Sequence, residues 1–236
     1  MIICPAQPFD LPAVMTIEHS AFIPQVQEKR RVLEERLELF PEGFFVLADT
    51  SAATVQQHGS ALTAGYFCSE RWAALPQALQ LAPEAGKAAL AVEPLPTAHA
   101  KRQPLPQEAK QLAQCCALGH KPRHTHRRDG SVLYVSSFAL LPQYRGRGLG
   151  LSFFRAALAA LCCAHSRLQH VVLVVSEEWP SARRIYDALG FVPLARLSAF
   201  FPSLHKKRAD GIVMTATADS FRALTLVTND NGLLVI

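Results

Sequence analysis

Apolar residues along this chain form short runs and helical stripes in alternation, each bounded by turn residues. Residues 10–18 read as the opening of a helix, with Asp10 as a candidate N-cap and Pro12 in the first turn. From Glu28 to Phe40, Val32, Leu33, Leu37 and Phe40 keep close to helical spacing, and Pro41 stops the run. Residues 44–48 and 61–68 have the length and apolar content of strands, and the polar stretch 49–60 makes them a hairpin with a long loop. A β-branched and aromatic run from Val132 to Leu141 predicts a strand, and the Ala- and Leu-rich run from Leu151 predicts a helix. A strand at 170–176, a helix at 180–189 and strands at 191–197 and 211–217 follow. The tail ends in Gly232-Leu233-Leu234-Val235-Ile236, apolar enough to predict packing on the domain or on a partner chain.

Between about 69 and 130 this regularity lapses. Seven of the 16 prolines lie there (Pro76, Pro83, Pro94, Pro96, Pro104, Pro106 and Pro122), and they interrupt every longer helical pattern. The stretch reads as an insertion between strands of one domain spanning 1–236, with a C-terminal extension at 219–236. A long loop on a rigid scaffold is suited to covering a substrate entrance.

The chain has 236 residues, half of them hydrophobic, which is enough for a sizeable core. No apolar run reaches the roughly 18–20 residues that span a bilayer, so no membrane association is expected. Residues 1–7 lack a basic n-region and a cleavage pattern, which reads as no signal peptide. The six cysteines include the adjacent pairs Cys115-Cys116 and Cys162-Cys163, neither at zinc spacing. Buried thiols in a reducing cytosol explain them, which predicts a cytoplasmic protein. The formal charge of +5 concentrates in residues 120–128. That segment has no interleaved aromatics for base stacking, which argues against nucleic acid. Its three histidines lack a Cys or carboxylate to complete a metal set, so no metal is expected. It reads as a solvated basic loop.

The chemistry concentrates at Gln143-Tyr144-Arg145-Gly146-Arg147-Gly148-Leu149-Gly150, between the strand from Val132 and the helix at Leu151. Glycines at 146, 148 and 150 permit a tight turn, and the unpaired amides opening the helix suit a phosphate or pyrophosphate. Arg145 and Arg147 add positive charge. The spacing is neither that of a dinucleotide fold nor that of a phosphate loop with its Lys-Ser/Thr pair.

The pattern Arg-x-x-Gly-x-Gly at Arg145, Gly148 and Gly150 resembles the pyrophosphate loop of the GNAT superfamily of N-acetyltransferases. Residues 182–191, Ala-Arg-Arg-Ile-Tyr-Asp-Ala-Leu-Gly-Phe, resemble that superfamily's late helix with its tyrosine, in the right order and at the right separation. Residues 18–23, residues 37–42 and the basic loop before Val132 resemble the arylalkylamine (serotonin) N-acetyltransferases and their fungal polyamine-acetylating relatives. The resemblance covers most of 1–218 outside the insertion. It implies an α/β (α+β) fold with a mixed, mostly antiparallel sheet, flanking helices and a splayed fourth strand.

It also implies acetyl-CoA as co-substrate. Phe138, Ala139 and Leu140 would offer backbone groups to the pantetheine arm and thioester, and Arg145, Gly146, Arg147, Gly148, Leu149, Gly150 and Leu151 would hold the pyrophosphate. Tyr186 matches the tyrosine beside the thioester sulfur that protonates the departing thiolate. The base departs from the pattern. Tyr134 and Ser136 stand where arylalkylamine enzymes carry two histidines, and each can order water but neither is a base at neutral pH. The choice is therefore a water relay through Tyr134 and Ser136, a carboxylate such as Glu70 or Glu177, or His205. Trp179-Pro180 also replaces the asparagine that many relatives carry before the late helix.

The expected function is acetyl transfer from acetyl-CoA to a primary amine of a small molecule, arylalkylamine or polyamine-like, by direct attack in a ternary complex. The alternatives are acetylation of a protein N-terminus or lysine, and a catalytically silent acyl-CoA-binding module.

Overall fold

A computed structural model describes residues 1–58, 61–75, 115–205, 207–224, 226–228 and 234–236. Most of the expected insertion, residues 76–114, lies outside the described residues. In chain order the elements are β1 (Ile2–Pro5), α1 (Leu11–Ala21), α2 (Arg30–Leu39), β2 (Phe44–Asp49), α3 (Ala52–His58), β3 (Leu62–Trp72) and β4 (Val132–Leu140). They are followed by α4 (Leu149–Ala164), β5 (His170–Ser176), α5 (Pro180–Ala188), β6 (Val192–Pro202), β7 (Arg208–Thr217) and β8 (Leu234–Val235). One-turn helices occur at Pro122–Thr125 and Asp219–Arg222.

The strands form one eight-stranded sheet in the order β6-β7-β5-β4-β3-β2-β1-β8. Every neighbouring pair is antiparallel except β4 and β5. The apolar tail is accounted for by β8, which pairs Leu234 with Ile3 and Val235 with Ile2. Several boundaries differ from the sequence reading: β6, expected to end at Leu197, runs to Pro202, and β7, expected from Gly211, starts at Arg208. Helix α3 occupies part of the connection expected as loop, and β3 continues through Ser69, Glu70, Arg71 and Trp72, which were expected in the insertion. Those four pair with Val132 to Val135 of β4, so tertiary pairing carries the strand past its apolar run.

The sheet is covered on both faces. On one, Phe153, Phe154, Ala157, Leu158 and Leu161 of α4 pack on Phe67, Leu133, Val135 and Leu173. This fits the α4 sequence, whose apolar residues recur at helical spacing. On the other, Val14 and Ile17 of α1 and Leu33 and Leu37 of α2 pack on Phe44, Val46, Tyr66 and Cys68. Residues of β4 therefore point either at α4 or at the α1–α2 side, and the face each takes decides which side chains reach the site.

Candidate active site

Strands β4 and β5 pair only over Val132–Val135 and His170–Leu173, then diverge. A cavity of about 730 Å³ opens at the divergence, bordered by β4 from Tyr134 to Leu140, by Leu173 and Val174, and by the first turns of α4 and α5. The glycine turn closes one end. Gly146 and Gly148 have φ of 73° and 78°, left-handed conformations that cost an L-residue roughly 1–2 kcal/mol. Gly148 is the N-cap of α4, so the first amides of a 16-residue helix have no helical acceptor. Gly146, Gly148, Gly150 and Leu151 border the cavity; Arg147 and Leu149 share the turn without lining it. Gly150 has a second reason to be small, since a Cβ there would lie 3.0 Å from Ile185 Cδ1. Its lack of a side chain lets α4 lie close to α5. Arg145 also borders the cavity, and its Nε donates to the Leu140 carbonyl at 2.9 Å, pinning the turn to the end of β4.

Tyr186 borders the cavity from the α4–α5 side. Its ring lies 5.1 Å from Phe154 and 5.9 Å from Phe191, centroid to centroid. Burial pushes its phenol well above the usual value, so it holds its proton through the physiological range. Phe138 anchors β4 to the same side, with its ring 5.7 Å from Phe153 and 5.0 Å from Phe154.

The opposite face of β4 carries the feature that sequence spacing missed. The β3–β4 register shifts between Cys68, opposite Ser137, and Ser69, opposite Val135, which leaves Ser136 as the extra residue of a β-bulge. Both serines consequently reach toward β3 on the α1–α2 side. Ser136 Oγ donates to the Cys68 carbonyl at 3.0 Å, while Ser137 Oγ is 2.6 Å from the Tyr66 hydroxyl. Strict alternation from Tyr134 predicts only Ser136 there. The Tyr66 hydroxyl in turn donates to Glu18 Oε2. Glu18 Oε1 accepts the Glu28 amide at 2.7 Å, and the side chain is 1% exposed. Burial pushes the Glu18 carboxyl up to about 7, against the lowering effect of those hydrogen bonds. The sequence offered one signal for Glu18, a carboxylate on a helix face that otherwise carries Leu11, Val14 and Ile17.

Glu70 has a different role. Its Oε2 accepts from Arg36 Nη1 at 2.9 Å, and its Oε1 accepts from Trp72 Nε1 at 2.6 Å, Thr125 Oγ1 at 2.8 Å and His120 Nε2 at 3.0 Å. Burial alone would raise its carboxyl, but the His120 hydrogen bond and the Arg36 charge hold it below the usual range. A carboxylate so fully engaged is a structural hub rather than a base. The segment at 120–128 is correspondingly not simply a solvated loop. His120 and His126 turn inward, Arg123 donates to Glu35 on α2 through its backbone N and its Nε, and Ala117, Leu118 and His120 roof the cavity. His120 Nδ1 lies 3.0 Å from the Ala117 carbonyl, so both ring nitrogens are engaged within the protein.

Tyr134 borders the cavity too, but it is buried and stacked on Trp72 at 4.2 Å. Of the remaining base candidates, Glu177 pairs with Arg196 at 2.5 Å, and neither it nor His205 is among the described residues that border the cavity. Trp179 stands in an aromatic wall with Phe22 and Phe201, at centroid distances of 5.6 Å and 4.9 Å. Among the described residues no group of His, Cys, Asp and Glu is arranged to hold a metal ion, and no helix is long and apolar enough to cross a membrane.

No protein-family model and no curated protein matches the chain in sequence. Solved structures do match it in shape. The GphF GNAT-like decarboxylase in complex with isobutyryl-CoA superposes with a TM-score of 0.62 at 17% identity, covering 92% of this chain and 100% of that one. The chain has the GNAT fold. The loading GNATL domain of CurA from Lyngbya majuscula gives 0.62 at 15% identity over 92% and 97% of the two chains. Arabidopsis thaliana NAA60 in complex with acetyl-CoA gives 0.56 at 14% over 92% and 98%. The fourth strand parts from β5 after Val135, and the glycine turn links it to α4.

Proposed function

We propose that the chain is an acetyl-CoA-dependent N-acetyltransferase acting on a primary amine of a small molecule, of arylalkylamine or polyamine-like type. The carrying observation is the single cavity that runs from the glycine turn, along the part of β4 that β5 leaves free, to buried carboxylates and an aromatic wall. In this reading the pyrophosphate rests on the α4 amides at Gly146–Leu151, with Arg145 and Arg147 adding charge. The pantetheine arm runs beside Phe138, Ala139 and Leu140 as a strand would. Tyr186 gives its proton to the coenzyme A thiolate as the amine nitrogen bonds to the acetyl carbon and the C–S bond breaks, and the proton shed by the new amide nitrogen restores the phenol.

The acceptor end favours a cation. Glu18, Glu28 and Arg36 border it, with Glu70 immediately behind Arg36. A carboxylated acyl donor, as a decarboxylase needs, would bring a further carboxylate to an end where Arg36 already serves Glu28 and Glu70. Phe22, Trp179 and Phe201 supply an apolar face for the amine's carbon skeleton. The roof at Ala117–His120 favours a small acceptor over a peptide, which needs an open groove. The resemblance of residues 18–23 and 37–42 to arylalkylamine enzymes supports the same acceptor class, and the six free cysteines fit a reducing, cytoplasmic setting.

The test is a thiol-release screen with acetyl-CoA against arylalkylamines, polyamines and short peptides, with malonyl-CoA as a second donor. Release with small amines is the expected result. Release only with peptides, or carbon dioxide from malonyl-CoA, would overturn the assignment.

A further inference from the structure

An alkylamine reaches the cavity as an ammonium, which has no lone pair, so one proton must leave before attack. Glu70, Glu177 and His205 do not serve: the first is fully engaged and the other two do not border the cavity. One hydrogen-bonded chain runs along the cavity wall, from Ser137 through Tyr66 to Glu18. We propose that Ser137, Tyr66 and Glu18 form a proton relay that removes the ammonium proton, with Ser137 touching the amine and Glu18 the terminal acceptor. The proposal rests on the acetyl-transfer reading above.

Hydrogen-bond direction supports it. A phenol has one proton, and Tyr66 donates it to Glu18 Oε2. At 2.6 Å from the same phenol oxygen, Ser137 must then be the donor. The serine oxygen is left with lone pairs on the cavity side, where an ammonium N–H would point. When the ammonium gives its proton to Ser137, the serine proton moves to Tyr66 and the Tyr66 proton moves to Glu18. The net change is ammonium and carboxylate to amine and carboxylic acid, with both hydroxyls restored. Tyr66 is fully buried and never needs to carry charge. The β4 bulge matters here, because a strand pleated regularly through Ser136 would turn Ser137 toward α4 instead of Tyr66.

The surroundings of Glu18 suit a reversible acceptor. Glu28, from the α1–α2 connection, opposes its charge; Arg36 of α2 favours it; Tyr66 of β3 hydrogen-bonds it. Cys68, also on β3, is a thiol that burial keeps protonated. With burial foremost, these leave Glu18 titrating at about 7, close to the pH at which an acceptor is most useful. Tyr186 and the Ser137 hydroxyl then lie on opposite faces of β4, keeping the proton donor for sulfur apart from the acceptor for nitrogen.

The experiment compares two acceptors, a basic alkylamine and an amine of such low basicity that it is neutral at the assay pH. Glu18→Gln, Tyr66→Phe and Ser137→Ala should each lower kcat for the basic amine by about 10²–10⁴-fold and leave the weakly basic one within a few fold. Coenzyme A affinity should stay unchanged in all three. The deficit should shrink as pH approaches the alkylamine's own pKa. Equal losses with both acceptors would mean structural damage, and no loss with either would mean another base; both overturn the relay. A measurement without turnover separates this from failure of the parent reading. Carboxyl ¹³C titration of the acetyl-CoA-bound protein should find Glu18 near neutrality and higher still in Tyr66→Phe, which loses a bond to the carboxylate. A Glu18 carboxyl in the ordinary range overturns the relay whatever the protein acetylates.

Discussion

The Tyr144 hydroxyl donates to Asp49 Oδ2 across 2.8 Å, tying the end of β2 to the turn that opens the glycine loop. The carboxylate also accepts from the Thr54 hydroxyl at 2.7 Å and the Ser51 amide at 3.0 Å. Those bonds, Thr54 first, hold Asp49 well below the usual carboxylate range.

Tyr144→Phe removes one buried hydrogen bond to a charged group, worth about 1.5–3 kcal/mol. Thermal unfolding should come roughly 3–12 °C lower at 2–4 °C per kcal/mol. Coenzyme A affinity, read by calorimetry, should fall several fold while the amine KM holds. Asp49 has a lowered folded pKa, so its contribution is present above its unfolded value of about 3.9 and lost only as pH falls below that. The stability gap between wild type and Tyr144→Phe should therefore be constant from neutrality to about pH 4 and then narrow.

Tyr186→Phe keeps the ring against Phe154 and removes the hydroxyl. Turnover should drop by about 10–10³-fold, with the amine KM and coenzyme A affinity little changed. Because burial raises this phenol, an alkaline limb due to its ionisation should lie above the ordinary tyrosine value of about 10. A variant with full turnover would reduce Tyr186 to a packing residue.

The glycine loop yields a contrast between two positions. A Cβ on Gly148 would meet nothing within 4 Å, whereas one on Gly150 would press on Ile185. Gly148→Glu should fold at slightly reduced stability, paying the left-handed backbone cost of roughly 1–2 kcal/mol, and should lose coenzyme A binding outright. Gly150→Ala should lower the melting temperature and alter coenzyme affinity far less. Calorimetry and circular dichroism on both variants decide it.

Glu70→Ala leaves Arg36 buried with only the 3.5 Å contact to Glu28. Breaking a buried pair on one side costs about 3–5 kcal/mol, so this variant should be hard to express or melt far below wild type. Glu70→Gln keeps the shape and some hydrogen bonds, and should weaken the ties to Arg36 and His120. Faster amide exchange at 117–126 than elsewhere would show the roof loosening before the sheet.

Much of this could be read from the chain. The turn at 145–150 and the strand expected at Val132–Leu141 are local patterns, in which periodicity and backbone sterics determine the outcome, whereas Tyr186 is singled out by resemblance. What escaped depends on contacts between distant segments. The bulge at Ser136 arises from its register with Cys68, and one extra residue reassigns the face of Ser137. Glu18 has no motif to mark it as an acceptor, and its character comes from Tyr66, 48 positions away. The basic segment looked solvated because Lys121, Arg123, Arg127 and Arg128 are exposed, while the inward His120 and His126 answer to a carboxylate and an amide on β3. Strand β3 outran its apolar run because Glu70 and Arg71 find partners in the interior.

The divergence of β4 from β5 leaves the sheet with a notch, since among the described residues no strand pairs with that edge of β4 beyond Val135. A pantetheine arm with its two amide groups can fill such a notch as a substitute strand. The nucleotide thioester would then be a missing rib of the scaffold as well as a reactant. Bound at a hundred times its Kd, it would add about 2.7 kcal/mol to the folded state. Protein that runs short of the donor would open more often and be degraded sooner, so its abundance in the cell would follow the supply of activated acetyl groups.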